Sequence, residues 1–269
     1  MVSAGSYRMV ATDLDGTIVR SDGTISARTR SALGTAEAAG AVVVLVTGRP
    51  PRWLSGIADQ TGHRGLAICA NGALLYDLHE ERIIGVHPLS VESLRHLVDV
   101  LREAIPGITF AVERVDDGFR HEPAYRPRWD SDQSKTTVSL EAMIAEPVTK
   151  LLARHGSYSA DDLLAAARLA VGDESVATLT HSSIDGLLEI SAAGVSKASS
   201  LADYAAEHDI PAEAVIAFGD MPNDLPMLLW AGHSVAVADA HPEVLAAADE
   251  VTASNDDDGV AQVLERVFS

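Results

Sequence analysis

The stretch that most constrains this fold is residues 41–46, AVVVLV. It is apolar throughout and rich in β-branched side chains, with no polar face to offer water, so it suits a strand buried on both sides. Such strands belong to parallel sheets covered by helices on both faces. The flanking sequence agrees. Residues 8–12 read as a strand, and residues 26–39 as a helix that stops at Gly40. Residues 65–70 form a third candidate strand, followed by the turn Asn71-Gly72. Residues 74–76 and 82–84 suit a hairpin around the polar residues 77–81. Strand, helix, strand at this spacing implies βαβ units and an α/β fold with a parallel sheet.

The middle of the chain differs. Ser90 is placed to cap a helix over Val91–Ala104, and Thr109–Glu113 reads as a strand. Residues 116–133, rich in Pro, Arg, Asp and aromatics, read as a loop or irregular strands. A strand over 148–153 precedes a helix over 160–170, capped by Ser159 with Asp161 and Asp162 in its first turn. Ala177–Thr180 and residues 187–190 suit a strand pair around 182–186. Alternation then resumes, with helices over 197–208, 224–231 and 241–248 and strands over 215–218 and 234–238, and Gly259–Phe268 closes the chain. This pattern predicts one α/β domain, residues 1–84 and 191–269, interrupted by an α+β module at 85–190.

Charge bounds the partners. Lys+Arg 20 against Asp+Glu 39 leaves a net charge of −19. Such a surface repels nucleic acid and anionic lipid, so neither is expected as a ligand. Residues 235–269 alone carry Asp239, Glu243, Asp249, Glu250, Asp256, Asp257, Asp258 and Glu265 against Arg266, which reads as a solvated face. No apolar run is long enough to span a bilayer, and the first residues show no basic-then-apolar leader. A cytoplasmic protein is the expectation. The single cysteine, Cys69, excludes an intramolecular disulfide framework and a four-cysteine zinc site, and suits a buried apolar position.

Four short segments carry chemistry. Asp13 and Asp15, in Asp13-Leu14-Asp15-Gly16-Thr17, lie two residues apart at the end of a strand, where Gly16 permits a turn. One carboxylate can bind a hard cation and attack an electrophile while the other moves a proton. A calcium loop fails, because the required later acid and glycine positions are missing. Thr47-Gly48-Arg49 follows the buried strand and suits an oxyanion cradle, though alone it is only a turn. Lys197 opens a helix, where an ammonium can neutralise phosphate or simply face solvent. Asp220, Asn223 and Asp224, in Gly219-Asp220-Met221-Pro222-Asn223-Asp224, bring metal-capable oxygens behind another buried strand; a helix cap explains Asp224 alone better than it explains the pair.

These segments, in this order, resemble the haloacid dehalogenase superfamily, and its Cof-type phosphatases of subfamily IIB in particular. Asn71-Gly72-Ala73, Gly194-Val195-Ser196-Lys197, residues 227–232 and residues 256–260 add to the resemblance, which spans nearly the whole chain. Ala70 departs from it, standing where the family often has a second Asn. The resemblance implies a Rossmann-like core with an inserted C2-type cap. It implies that Asp13 is the nucleophile forming an aspartyl-phosphate and that Asp15 is the general acid, then base. Thr47 and Lys197 would hold the phosphoryl group. Asp13, the Asp15 carbonyl and Asp220 would bind Mg²⁺, with Asp224 in or beside that shell. Gly48, Arg49, Asn71 and Asn223 would line the substrate site, Asn223 also supporting the metal or Lys197.

An acid at Asp15 implies phosphoester chemistry rather than dehalogenation. Hydrolysis of a sugar or cofactor phosphate is favoured; a sugar phosphomutase and a silent phospho-ligand binding protein are the alternatives. The cap would choose the substrate. His181 and Asp185 flank a hairpin tip that suits this role, Arg114, Arg120, Arg126 and Arg128 suit a second anionic group, and Tyr125 and Trp129 suit stacking on a ring. Oligomeric state is not legible.

Overall fold

The protein is described from a computed structural model covering residues 7–115, 118–127, 136–173 and 175–268. In chain order the first strands and helices are β1 (Met9–Thr12), α1 (Ala27–Ala38), β2 (Val42–Val46), α2 (Ser55–Thr61), β3 (Leu66–Cys69), β4 (Leu74–Asp77) and β5 (Arg82–Val86). They are followed by α3 (Val91–Ala104), β6 (Thr109–Glu113), β7 (Phe119–His121), β8 (Thr136–Thr137), α4 (Leu140–Met143), β9 (Lys150–Arg154), α5 (Ala160–Val171), β10 (Ala177–Thr180) and β11 (Leu187–Ala192). The chain closes with α6 (Lys197–Glu207), β12 (Val215–Gly219), α7 (Leu225–Trp230), β13 (His233–Ala236), α8 (Pro242–Ala247), β14 (Glu250–Val251) and α9 (Gly259–Phe268).

Two compact units result, Met1–Gly85 with Ser196–Ser269, and Val86–Val195. The second ends beyond residue 190 because β11 continues to Ala192.

The first unit is built on a sheet of order β14-β13-β12-β1-β2-β3-β4-β5. Its centre is parallel: β1 pairs with β12 on one side and β2 on the other, and β2 pairs with β3. Met9, Val10 and Ala11 of β1 and Val215–Phe218 are wholly buried, as a doubly covered parallel sheet requires. The valine-rich β2 is buried from Val43 onward. Toward the edge the pairing turns antiparallel at β3–β4. Ser26 caps α1 by accepting the Thr29 N–H at 2.9 Å, and α1 and α9 lie against each other, joined at the surface by Arg28 and Glu265.

The second unit is a sheet of order β10-β11-β9-β6-β7-β8 with α3 and α5 on one face. Its β10, β11, β9, β6 and β7 pair antiparallel in that order, and only β7–β8 is parallel. Leu94, Leu97, Val98 and Leu101 repeat at helical spacing along α3 and sink into a core with Phe110, Leu151, Leu163, Leu188 and Ile190. Ser90 and Ser159 accept the N–H of Ser93 and Asp162 at 3.1 Å each, so both predicted caps form. Among the described residues, no helix is long and apolar enough to cross a membrane.

Candidate active site

The site is assembled at the carboxyl ends of adjacent parallel strands, the position where open α/β sheets gather ligands. Asp13 continues β1, its N–H donating to the Phe218 carbonyl at 3.0 Å. Thr47 continues β2, its N–H donating to Ile68 at 2.8 Å. Gly219 ends β12 and Asp220 follows it, and Asn71 lies in the turn after β3. Lys197 is the first residue of α6, which Ser196 caps with Ser199 in a reciprocal pair.

These residues converge on Lys197. Of the two readings of a helix-start lysine, the solvent-facing one does not hold, since the side chain is fully buried. Its Nζ donates to Asp13 Oδ1 at 2.5 Å and to Asp224 Oδ1 at 2.6 Å, joining positions 184 and 27 residues away in sequence. The other Asp224 oxygen accepts the backbone N–H groups of Asp220 and Met221, each at 3.1 Å. Both Asp224 oxygens are therefore engaged by the chain, which folds residues 220–224 into a tight turn and fixes the ammonium. Gly219 is needed here because a Cβ would lie 2.6 Å from Asp224 Cβ.

Asp220 is held differently. Thr17 Oγ1 donates to its Oδ1 at 3.1 Å. Gly16, at φ +81°, lets the first loop approach so closely that a Cβ would lie 2.3 Å from Asp220 Oδ2. Thr17 was not singled out from the sequence; its place in the Asp13–Thr17 segment was the available signal.

Carboxylate oxygens of Asp13, Asp220 and Asp224 lie within 4.8 Å of one another. Three carboxyls face one ammonium. Burial raises the Asp13 pKa to about 7; Lys197 pulls it down, while Asp224 and Asp15 push it up. Burial, then Asp13 and Asp224, raises Asp220 to about 9. Burial alone would lower the Lys197 pKa, but the Asp13 and Asp224 carboxylates raise it above its ordinary value. Such a crowded set of hard oxygens fits a divalent cation, whose charge would let both Asp13 and Asp220 ionise. Asp13 and Asp220 are the natural donors, since Asp224 is already occupied.

Asp15 is the outlying acid. Its side chain is 58% exposed and takes a bidentate fork from Arg49, with Nε at 2.7 Å from Oδ2 and Nη2 at 2.5 Å from Oδ1. That hydrogen bonding raises the Arg49 pKa. Arg49 also donates its backbone N–H to Thr47 Oγ1 at 3.0 Å, so Thr47, Gly48 and Arg49 form one closed turn. Asn223 Nδ2 donates to Asn71 Oδ1 at 3.1 Å, a pairing across 152 residues.

The residues expected to choose a substrate lie in the second unit, and several have other duties. His181 is buried rather than presented at a tip, with Nε2 against Asp161 Oδ1 at 2.9 Å, which ties its loop to the first turn of α5. Asp185 is exposed in that loop, and its carbonyl accepts Arg154 Nη2 at 3.2 Å. Tyr125 is buried among Ala111, Phe119 and Leu152 instead of standing free to stack, and burial pushes its hydroxyl pKa up. Arg114 pairs with Glu146, and Arg126 donates to the Pro123 carbonyl at 2.9 Å. Arg120 lies on β7. Arg128, Trp129 and part of the expected 116–133 loop lie outside the described residues.

Known proteins share this plan. A model of haloacid dehalogenase-like hydrolases matches residues 10–264. The 5-amino-6-(5-phospho-D-ribitylamino)uracil phosphatase YitU of Bacillus subtilis is 29% identical, over 97% of each chain. The pyridoxal phosphate phosphatase YbhA of Escherichia coli is also 29% identical, over 96% of this chain and 97% of the other. The phosphatase BT1666 of Bacteroides thetaiotaomicron superimposes with a TM-score of 0.82 at 22% identity, covering 99% of this chain and 98% of its own. The chain belongs to the haloacid dehalogenase-like hydrolases, and within them it is a phosphatase of the Cof type.

Proposed function

We propose that this phosphatase hydrolyses phosphomonoesters of small metabolites, of the sugar- or cofactor-phosphate class, through an aspartyl-phosphate on Asp13 and with Mg²⁺. The observation that carries the reading is the buried Lys197, bridging Asp13 and Asp224 with Asp220 alongside. An ammonium fixed there is ready for phosphoryl oxygens without reorganising during reaction.

The steps follow from the side chains. An Asp13 carboxylate oxygen attacks phosphorus, and the bond from phosphorus to the leaving oxygen breaks. Asp15 gives that oxygen a proton, releasing an alcohol. Water then attacks the acyl phosphate while Asp15 takes its proton, and the phosphorus–Asp13 bond breaks to give inorganic phosphate and the free carboxylate. Asp15 must leave the Arg49 fork to do this. Lys197 and the Thr47–Arg49 turn hold the phosphoryl oxygens throughout. Mg²⁺, which binds through few carboxylates and keeps several waters, fits Asp13, Asp220 and the Asp15 carbonyl, and when bound it supplies positive charge against the phosphoryl oxygens. The inserted unit, residues 86–195, is proposed to select the leaving group, because all four sequence segments lie outside it.

The test separates the two acids. Asp13→Asn should abolish turnover and phosphoenzyme while keeping the fold, being nearly isosteric. Asp15→Asn should slow turnover by about 10²–10⁴-fold. With an activated aryl phosphate it should accumulate one phosphoryl group on the Asp13 peptide, read by quenched-flow mass spectrometry. A phosphoryl group on Asp15, full activity of Asp13→Asn, or full activity after exhaustive EDTA treatment would overturn the reading.

A further inference from the structure

Residues 70–72 make contacts that the reaction steps above do not use. The Ala70 N–H donates to the Arg49 carbonyl and the Asn71 N–H to the Thr47 carbonyl, each at 3.0 Å. The Asn71 Oδ1 accepts Asn223 Nδ2 at 3.1 Å. The Gly72 carbonyl accepts Ser200 Oγ at 2.8 Å. Gly72, at φ +102°, lies so near the start of α6 that a Cβ would stand 2.2 Å from the Ser196 carbonyl oxygen. Three segments thus meet on one turn: the 47–49 cradle, the loop bearing Asp220 and Asp224, and the helix start bearing Lys197.

We propose that Asn71 and Gly72 are positioning residues that hold these three segments in register, Asn71 acting on the Asp220 loop and Gly72 on Lys197. The proposal rests on the roles given above to Lys197 and Asp220. The residue types fit the task. Asn71 sits in the left-handed region, at φ 58° and ψ 33°. Asparagine is among the few side-chain-bearing residues that tolerate this conformation while offering an amide. The Asn71–Asn223 contact joins two buried side chains 152 residues apart in sequence, one beside the 47–49 cradle and one in the loop bearing Asp220 and Asp224.

Glycine adopts the Asn71 backbone conformation without steric cost, so Asn71→Gly removes the carboxamide alone. This variant should lower kcat on an aryl phosphate at least tenfold. It should also weaken Mg²⁺ binding at least threefold in calorimetry without substrate, with circular dichroism and Tm close to the parent's. In a double-mutant cycle, adding Asn71→Gly to Asn223→Ala should cost less than about twofold further. Gly72→Ala should lower kcat/KM at least tenfold and leave Mg²⁺ affinity intact, because it displaces a lysine and not a ligand. If Gly72→Ala does not fold, Ser200→Ala removes one hydrogen bond to the same carbonyl and should move kcat/KM the same way by about threefold. Parent-like Mg²⁺ affinity and kcat in Asn71→Gly would overturn the proposal, as would losses that only track the unfolded fraction. A parent that binds Mg²⁺ but hydrolyses no phosphomonoester would instead sink the functional reading, and the calorimetry would still judge the role of Asn71.

Discussion

Lys150 and Lys197 are both almost fully buried, and each meets carboxylates at close range, yet their surroundings differ in kind. Lys150 is in mid-sheet in the second unit. Its Nζ donates to Glu189 Oε1 on the neighbouring strand at 2.7 Å, and buried Glu113 is its register partner on the other side. Three adjacent strands fix that arrangement. The carboxylates around Lys197 instead come from loops at strand ends, and their negative charge exceeds what one ammonium can offset. A buried charge held by sheet register is architecture. A buried charge assembled from separate loops, with acid in excess, is prepared for a further cation and an anionic ligand.

The largest effect should come from breaking the register-held pair. Lys150→Met takes the ammonium away from the buried Glu189 carboxylate it meets at 2.7 Å, and losing one partner of a buried pair costs about 3–5 kcal/mol. Urea unfolding should show that loss, and Lys150→Met with Glu189→Leu should regain most of it. Turnover of a small aryl phosphate by the folded fraction should stay near the parent's. A stable Lys150→Met variant with poor turnover would place Lys150 with the catalytic groups and erase the distinction.

Lys197→Ala should do the reverse. We expect kcat/KM to fall at least tenfold, about 1.4 kcal/mol of transition-state stabilisation. Stability should fall less than in Lys150→Met, because Lys197 is what pulls the Asp13 pKa down from its buried value, and without the ammonium that carboxyl takes up a proton instead of staying charged. Equal kcat/KM with a collapsed Tm would remove the lysine from the reaction.

A smaller effect is a slope in pH. Without metal, Asp220 titrates at about 9 when folded but near 3.9 when unfolded. Between those values the folded state binds the extra proton, so its stability falls as pH rises. In EDTA, the Tm of the parent minus that of Asp220→Asn should therefore decline from pH 5 to 9, and saturating Mg²⁺ should flatten the decline. A difference that grows with pH would contradict the buried, crowded carboxyl.

Much of this was legible in the residues themselves. The apolar run ending at Val46, the caps at Ser90 and Ser159 and the stop at Gly40 are local signals, and their elements form as expected. The helix α2 escaped notice because SGIADQT contains a glycine and has no side-chain cap. The strand β14 is only two residues long, and its place depends on β13 beside it. In the site, Asp13, Lys197, Asp220 and Asp224 could be chosen by position after strands or at a helix start. The pairings of Asp15 with Arg49, Thr17 with Asp220 and Asn71 with Asn223 could not, because they depend on strand order, which brings distant positions together. His181 shows the opposite failure: a polar residue near a hairpin tip looks available until the fold turns it inward against Asp161.

The interrupted core also has a consequence for how the chain is made. β1 is central in the sheet, yet its partner β12 starts at Val215, beyond the whole of residues 86–195. A ribosome adding about 5–20 residues per second needs on the order of 5–20 s to cross that interval. The emerging β1 edge stays unpaired for that time, open to other strands of the crowded cytosol or vessel in which it is made. The inserted unit, contiguous in sequence, can fold while the core waits. Slower translation or a higher temperature therefore threatens the newborn chain at β1 first, well before it threatens the finished enzyme.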